Sequence, residues 1–221
     1  MKNYISIIDS IIVKVMRFVK GTNKCPCFIS NRSRKIYGRR DNLKRYWFAK
    51  YKNLIVGKYT YGYEFIENKS LKSIGAFCSI AHGTVIVPND HRMDWVTTSP
   101  ILAVKDFGFT DRDLNMEYCP SEKREVIIGN DVWIGANCII FEGVKIGDGA
   151  VIAAGSIIRH DVPLYAVVVS VDKIIKYRFS KDVIDKLLKI QWWNWPDDKI
   201  KENLNLLYNP EKFVEKFYKE D

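Results

Sequence analysis

Isoleucine recurs every six residues along the second half of the chain, at Ile128, Ile134, Ile140, Ile146, Ile152 and Ile158. Neither a helix, with about 3.6 residues per turn, nor a strand, with its period of two, produces that spacing. A short fixed repeat marks a solenoid, and six-residue units mark a parallel β-helix in which each unit supplies one short face and one turn. Three such units close a triangular rung. The isoleucine then points inward and stacks on the rung below, while the residue after it must be small because the backbone turns tightly there. Ile128-Gly129, Ile134-Gly135, Ile146-Gly147 and Ile152-Ala153 obey this rule, with Phe141 and Arg159 as exceptions, and Ile74-Gly75, Ile80-Ala81 and Ile86 keep the same spacing upstream. A sandwich is excluded, since it alternates at period two and breaks at frequent turns.

Outside the coil the pattern changes. Residues 4–20 place Ile5, Ile8, Ile12, Val15 or Met16 and Val19 on one helical stripe, and residues 21–53 read as a basic, partly irregular connector. The six-residue phase breaks at Pro88, and residues 89–125 read as an extruded loop, because Asp106 to Asp113 and Pro120 to Lys123 fit no inward pattern. Long loops inside compact repeats tend to carry function. Beyond the coil, Ser180 suits the N-cap of a helix running to about Ile190. Pro196 opens a second, reaching about Leu207, and Glu211 to Lys219 form a last amphipathic segment. The expected division is therefore 1–53 as helix and connector, 54–175 as the coil with its loop, and 176–221 as a helical cap over the coil's open end.

Charge separates these parts. The first 53 residues hold 14 Lys and Arg against 2 Asp and Glu, so the net +9 of the 221-residue chain belongs wholly to this quarter and the remainder is slightly acidic. Asp9, Lys14 and Arg17 interrupt the apolar run, which argues against a membrane span, and no small-residue cleavage site follows it. Two uses of the first helix stay open: packing within an oligomer of this chain, or peripheral contact with an anionic membrane face. Nucleic acid is not an expected partner, for no stacking platform accompanies the charge. The five cysteines, Cys25, Cys27, Cys78, Cys119 and Cys138, lack metal-ligand spacing and read as small buried groups in a reducing cytoplasm. A metal is not expected.

Several separated motifs resemble one known family. Gly57-Lys58-Tyr59-Thr60-Tyr61-Gly62, Ile74-Gly75-Ala76-Phe77-Cys78-Ser79-Ile80, Asn89-Asp90-His91-Arg92-Met93-Asp94-Trp95 and Ile128-Gly129-Asn130-Asp131-Val132-Trp133-Ile134-Gly135 are similar to segments of the xenobiotic acetyltransferase branch of the hexapeptide acyltransferases. Asp161-Val162-Pro163, Lys176-Tyr177-Arg178-Phe179-Ser180 and Trp192-Trp193-Asn194-Trp195-Pro196 continue the likeness in family order. The resemblance implies a left-handed parallel β-helix and a homotrimer with acetyl-CoA as co-substrate. On this reading the fold class is an all-β solenoid with an extruded loop, an N-terminal helical extension and C-terminal α-helices.

The same resemblance assigns roles. His91 matches the general base that takes a proton from an acceptor hydroxyl, and an imidazole suits that task near neutral pH. Asp94 either orients that imidazole or pins the loop. Trp133, Gly135, Ala136, Ala153 and Ala154 match the wall along which pantetheine runs, although repeat geometry alone also calls for small residues there. A backbone N–H near Gly135-Ala136 is the expected oxyanion donor. Arg159, His160 and Lys173 are candidates for the CoA phosphates. The chain departs from the family where Ala166-Val167-Val168-Val169-Ser170-Val171-Asp172-Lys173 replaces the usual Ala-Ile-Val-Gly-Gly-Asn-Pro-Ala-Lys.

The expected activity is O-acetylation of a sugar hydroxyl in bacterial surface polysaccharide. The short segment from Tyr63 to Ser73 is the reason, because antibiotic-acetylating members commonly carry a long insertion there. Acetylation of chloramphenicol or a streptogramin is the alternative, with a non-catalytic β-helix scaffold behind it. The expected location is the cytoplasm, with peripheral contact at the inner face of the cell membrane as one of the two open uses of the first helix.

Overall fold

In the computed structural model the described residues are 5–20, 25–66, 68–87, 93–114 and 125–219, with side chains of 17–20 excepted. Three helices open the chain: α1 (Ile7–Lys20), α2 (Cys27–Tyr37) and α3 (Asn42–Lys52). Short strands follow before the loop: β1 (Ile55–Val56), β2 (Leu71–Ile74), β3 (Ser79–Ile80) and β4 (Val85–Val87). After it come β5 (Val126–Ile128), β6 (Trp133–Ile134), β7 (Ile139–Phe141), β8 (Lys145–Ile146), β9 (Val151–Ile152) and β10 (Ile157–Ile158). A hairpin of β11 (Ala166–Val169) and β12 (Lys173–Tyr177) leads to α4 (Lys181–Ile190), α5 (Asp197–Glu202) and α6 (Pro210–Phe217).

The strands form three sheets, ordered β1-β2-β5-β8, β3-β6-β9-β11-β12 and β4-β7-β10. The chain visits them in turn, and neighbours run parallel except β11 and β12, which are antiparallel. Ile128 pairs with Ile146, Ile134 with Ile152 and Ile140 with Ile158, each partner eighteen residues on, which is three six-residue units per rung. The phase survives the inserted loop: Ile74, Ile80 and Ile86 pair with Ile128, Ile134 and Ile140. Three columns of buried isoleucine therefore line the interior, one behind each sheet. Burying one such side chain is worth about 1.5–3 kcal/mol relative to leaving it in water.

Where a glycine follows the isoleucine, it is set by contact between rungs. A Cβ built on Gly135 would stand 2.5 Å from the Ala154 nitrogen, and one on Gly75 2.4 Å from the Gly129 carbonyl oxygen. Two residues further along, the corner adopts positive φ, as at Asp131 (54°), Asn137 (57°) and Gly155 (71°). Asn, Asp and Gly tolerate that conformation, whereas Tyr59 (61°) and Phe77 (61°) are bulky residues forced into it.

Two ends differ from expectation. Residues 27–52 are helical rather than irregular, because Ile29 and Ser33 of α2 and Leu43, Trp47 and Phe48 of α3 recur at helical spacing and are buried. Phe48 meets Tyr63 edge-on at 5.1 Å, so these helices extend the coil's interior beyond its first rung and close that end. The C-terminal helices, expected over the open end, instead lie lengthwise along one corner. Trp192 packs on Phe77 at 4.7 Å near the first rungs. Arg178 bonds Asp131 at 2.9 Å, and Tyr165 joins the helical cluster of Val183, Leu187 and Phe213 further along. Ser180 does cap α4, its side chain accepting from the Val183 N–H.

Gly135→Ala forces backbone against backbone and is expected to cost about 1–3 kcal/mol through overpacking. Ala154→Gly, which removes only an exposed methyl, is expected to stay within about 1 kcal/mol. Urea midpoints of the two variants check the difference, and equal midpoints would show that the rungs yield.

Candidate functional site

His91 lies outside the described residues, together with 88–90 and Arg92. The described chain on either side shows how that insertion is anchored. Val87 accepts from the Glu142 N–H at 3.0 Å, Asn68 donates its side-chain amide to the Ile86 carbonyl at 3.1 Å, and Ser70 donates to the Glu142 carboxylate. The chain re-enters the coil where the Val126 N–H donates to the Ser70 carbonyl at 2.8 Å. Exit and return are therefore tied to the same pair, Ser70 and Glu142. Between them Asp94 is exposed, and residues 93–114 fold back through the Leu114 N–H on the Ala103 carbonyl and the Lys105 N–H on Asp113. This segment exposes Met93, Val96, Leu102, Phe107 and Phe109.

The candidate donor wall comes together on two successive rungs. Trp133 stands outward on β6, 56% exposed, between Ser79 and Val151 in the sheet. Gly135 and Ala136 follow it round the corner and stack on Ala153 and Ala154, with the Ala136 carbonyl accepting from the Gly155 N–H at 2.8 Å. A large apolar ring in an outward phase beside a strip of small residues is a surface on which an extended chain can lie. The Gly135 N–H already donates to the Ile152 carbonyl at 2.8 Å and so belongs to the coil's ladder, which narrows the expected backbone donor near Gly135-Ala136 by one N–H. The lack of a Cβ at Gly135 is likewise explained by the rung beneath it.

Arg159, His160 and Lys173 are brought together by a residue the sequence reading passed over. Asp172 sits in the β11–β12 turn, where Ser170 and Asp172 both have positive φ, and receives the Arg159 N–H at 2.8 Å, the His160 N–H at 3.3 Å and the His160 Nδ1 at 2.9 Å. Partial burial works against this carboxylate. The Arg159 N–H, the imidazole and the His160 N–H outweigh it and hold the pKa below the ordinary 3.8. The altered loop is thus a hairpin pinned by an acid, with Lys173 exposed on the edge strand β12 and the Arg159 guanidinium over the Phe141 ring at 5.8 Å. Arg159, His160 and Lys173 are all exposed, with the His160 ring nitrogen engaged by Asp172.

The remaining motifs hold the molecule together. Asp197 receives the Tyr59 hydroxyl at 2.6 Å and the Lys58 ammonium at 2.9 Å, with Arg40 at 3.2 Å, while Lys58 also donates to the Trp195 carbonyl. Arg178 adds the Gly149 carbonyl at 2.8 Å to its Asp131 bond and lies over the Tyr165 and Phe179 rings. Beside this latch a groove of about 760 Å³ runs between the outer face of β1, β2 and β5 and residues 193–196, with Arg40, Arg45 and Lys58 on its walls. None of the residues singled out from the sequence as catalytic or donor-binding lines it. Among the described residues no three His, Cys, Asp or Glu side chains converge as metal ligands would.

Known proteins place this geometry. The family model for the hexapeptide repeat of succinyl-transferase matches residues 125–159. A probable macrolide acetyltransferase of Lysinibacillus sphaericus is 42% identical over 165 residues, covering 72% of this chain and 89% of the relative. The chain belongs to the xenobiotic acetyltransferase branch of the hexapeptide-repeat acyltransferases. It is an acetyltransferase. A chloramphenicol acetyltransferase of Agrobacterium fabrum is 34% identical over 174 residues, covering 70% of this chain and 82% of the relative. Among solved structures, a galactoside acetyltransferase in complex with coenzyme A matches at 20% identity and TM-score 0.42, covering 76% of this chain and 92% of that one.

Asp172→Asn tests the hairpin of this acetyltransferase. A depressed pKa means that the charged carboxylate stabilises the fold above the ordinary value of 3.8 and that this contribution fades as pH falls through the lower, folded value. The variant is expected to lose about 1–2 kcal/mol at pH 7. Urea titrations repeated toward pH 3 should show the gap to wild type narrowing. A gap that holds constant with pH would mean that the carboxylate's charge is not what matters.

Proposed function

We propose that this acetyltransferase moves the acetyl group of acetyl-CoA to a hydroxyl of an antibiotic-like acceptor, working as a homotrimer of left-handed coils with His91 as general base. The observation that carries the acceptor class is the apolar surface of the inserted loop, Met93, Val96, Leu102, Phe107 and Phe109, on the segment that contains the base. A glycan-binding surface needs hydrogen-bonding side chains in quantity, whereas a hydroxylated, largely apolar antibiotic is matched by exposed apolar ones. The likeness to relatives named for macrolide and chloramphenicol supports the same order. The sugar acceptor favoured by the short Tyr63–Ser73 segment becomes the second reading.

In this reading the acceptor hydroxyl attacks the thioester carbonyl directly as the neutral His91 imidazole takes its proton. The tetrahedral adduct then collapses to the acetate ester, and the imidazolium returns the proton to the departing CoA thiolate. No covalent enzyme intermediate is called for, and the thiols support this: burial pushes Cys78 up to about 12 and raises Cys138, so both stay protonated. Trp133 and the strip Gly135, Ala136, Ala153 and Ala154 carry the pantetheine arm. Arg159 and Lys173 face the phosphates, and Asp94 orients the base or pins its loop. The donor wall of Trp133, Gly135, Ala136, Ala153 and Ala154 takes no part in the groove beside residues 193–196, which is the reason for placing its second side on a neighbouring subunit.

The test measures free thiol released from acetyl-CoA in the presence of a macrolide, chloramphenicol, nucleotide sugars and surface glycans. Turnover with an antibiotic and not with glycans is expected. His91→Ala should keep the oligomer and bind acetyl-CoA while lowering kcat by about 10² to 10⁴. The wild-type kcat/KM should rise with pH along one limb near about 6–7, the range in which imidazole becomes neutral. Turnover with glycans alone would replace the acceptor. An undiminished rate in His91→Ala would remove the base.

A further inference from the structure

The sequence places Ile5, Ile8, Ile12, Val15 or Met16 and Val19 on one stripe of α1, but the structure turns a different face inward and leaves Ile8 and Val15 exposed. Val13 is fully buried, Met16 is partly so, and Asp9 is turned inward. Asp9 receives Arg32 at 2.6 Å, the Tyr37 hydroxyl at 2.6 Å and the Ser6 hydroxyl at 2.9 Å. That inward turn leaves Ile7, Ile8, Ile11 and Val15 together on the outer face, between 53% and 82% exposed, with Lys14 on their flank. The apolar stripe of a surface helix normally faces a partner, and here it faces outward.

The acids of the whole N-terminal quarter follow the same rule. Residues 1–53 contain two carboxylates, Asp9 and Asp41, and they are 2% and 5% exposed. Asp41 is held inside by the Tyr63 hydroxyl at 2.9 Å and lies 3.9 Å from Lys44. The outer surface of α1, α2 and the turn after it therefore shows cations without acids: Lys14, Arg34, Lys35 and Arg39 are exposed, and Phe28 and Ile36 stand exposed on α2 with them. Among the described residues no helix is long and apolar enough to cross a membrane.

An exposed apolar stripe set among cations, in helices whose own two carboxylates are turned inward, is complementary to one kind of partner. We propose that α1 and the cations around it dock this enzyme on an anionic lipid bilayer, with the helix lying in the plane of the interface and Ile7, Ile8, Ile11 and Val15 below the headgroups. A second copy meeting this face with its own would set cation against cation. The inference holds whichever acceptor is acetylated.

The experiment is co-sedimentation of the full chain with vesicles of phosphatidylcholine alone or of equal parts phosphatidylcholine and phosphatidylglycerol. The expected result is pelleting with the anionic vesicles only, weakened by salt. Lys14→Gln and Lys35→Gln should each weaken the association by about fivefold. Ile7→Ser/Ile11→Ser/Val15→Ser should weaken it by about tenfold or more, with circular dichroism and melting unchanged because these side chains are exposed. Equal pelleting with neutral vesicles, or no loss in the triple variant, overturns the proposal. A smaller assembly formed by the triple variant in the absence of lipid also overturns it, by making the stripe a contact between copies.

Discussion

The constraint on which everything else rests is the distance between one rung and the next. Parallel strands stack at about 4.8 Å, and at that spacing the corner after the isoleucines of two columns leaves room for no more than a hydrogen or a methyl: Gly75, Gly129, Gly135 and Gly147 all lie against the rung beside them, whereas Val87, Phe141 and Arg159 follow the isoleucines of the third column. The small residue fixes the phase, the phase puts isoleucine inside, and the residue before it necessarily points out. Trp133 is exposed for that reason alone, as Ile127 and Lys145 are on another face. A flat outer wall with evenly spaced positions follows from packing before any selection for a ligand, so the proposed donor site would use a surface the coil had to make anyway.

How far this was legible from sequence depends on whether the signal was periodic. The columns Ile74, Ile128, Ile146 and Ile80, Ile134, Ile152 could be counted, and so could the outward phase of Trp133. Helices α2 and α3 could not, because their buried positions are few and one of them is Lys44, whose ammonium is turned to Glu64 at 2.9 Å. Basic residues on three sides hid the fourth. Asp172 was missed for a different reason. Its partners Arg159 and His160 lie on the previous rung, and the last rung is short, Val168 pairing with Ile152 sixteen residues before it, so counting by eighteen points past it. His91 rests on the likeness of its surroundings to a family, since a single histidine in an irregular segment carries no pattern of its own.

Charge in this protein is arranged by where acids are hidden. In the coil, carboxylates serve backbone geometry: Asp148 receives the Asn130 N–H and side-chain amide, Asp161 the Lys145 N–H, and Asp172 two N–H groups of the neighbouring rung. In the N-terminal helices Asp9 and Asp41 fasten the elements from inside. The body keeps several acids near corners, where they pin turns, and the N-terminal quarter keeps its two inside, where Asp9 pairs with Arg32 and Asp41 lies beside Lys44, leaving the outer cations without acids among them. The two halves of the molecule thereby present different electrostatic faces, although a net charge of +9 suggests a uniform one.

Tyr59 and Phe77 occupy a corner conformation that costs a bulky residue free energy, and their rings stack at 5.2 Å with Trp192 closing on Phe77 at 4.7 Å. The groups that hold this corner, Trp192 and Asp197, enter the chain more than a hundred residues later, Asp197 lying 139 positions from the Lys58 it binds. A ribosome therefore finishes the first rungs well before it makes the segment that relieves their strain. Contacts so distant in sequence are formed late and slowly. The rungs of residues 126–158 stack on neighbours eighteen residues away, whereas the first corner is completed by a segment made long after it.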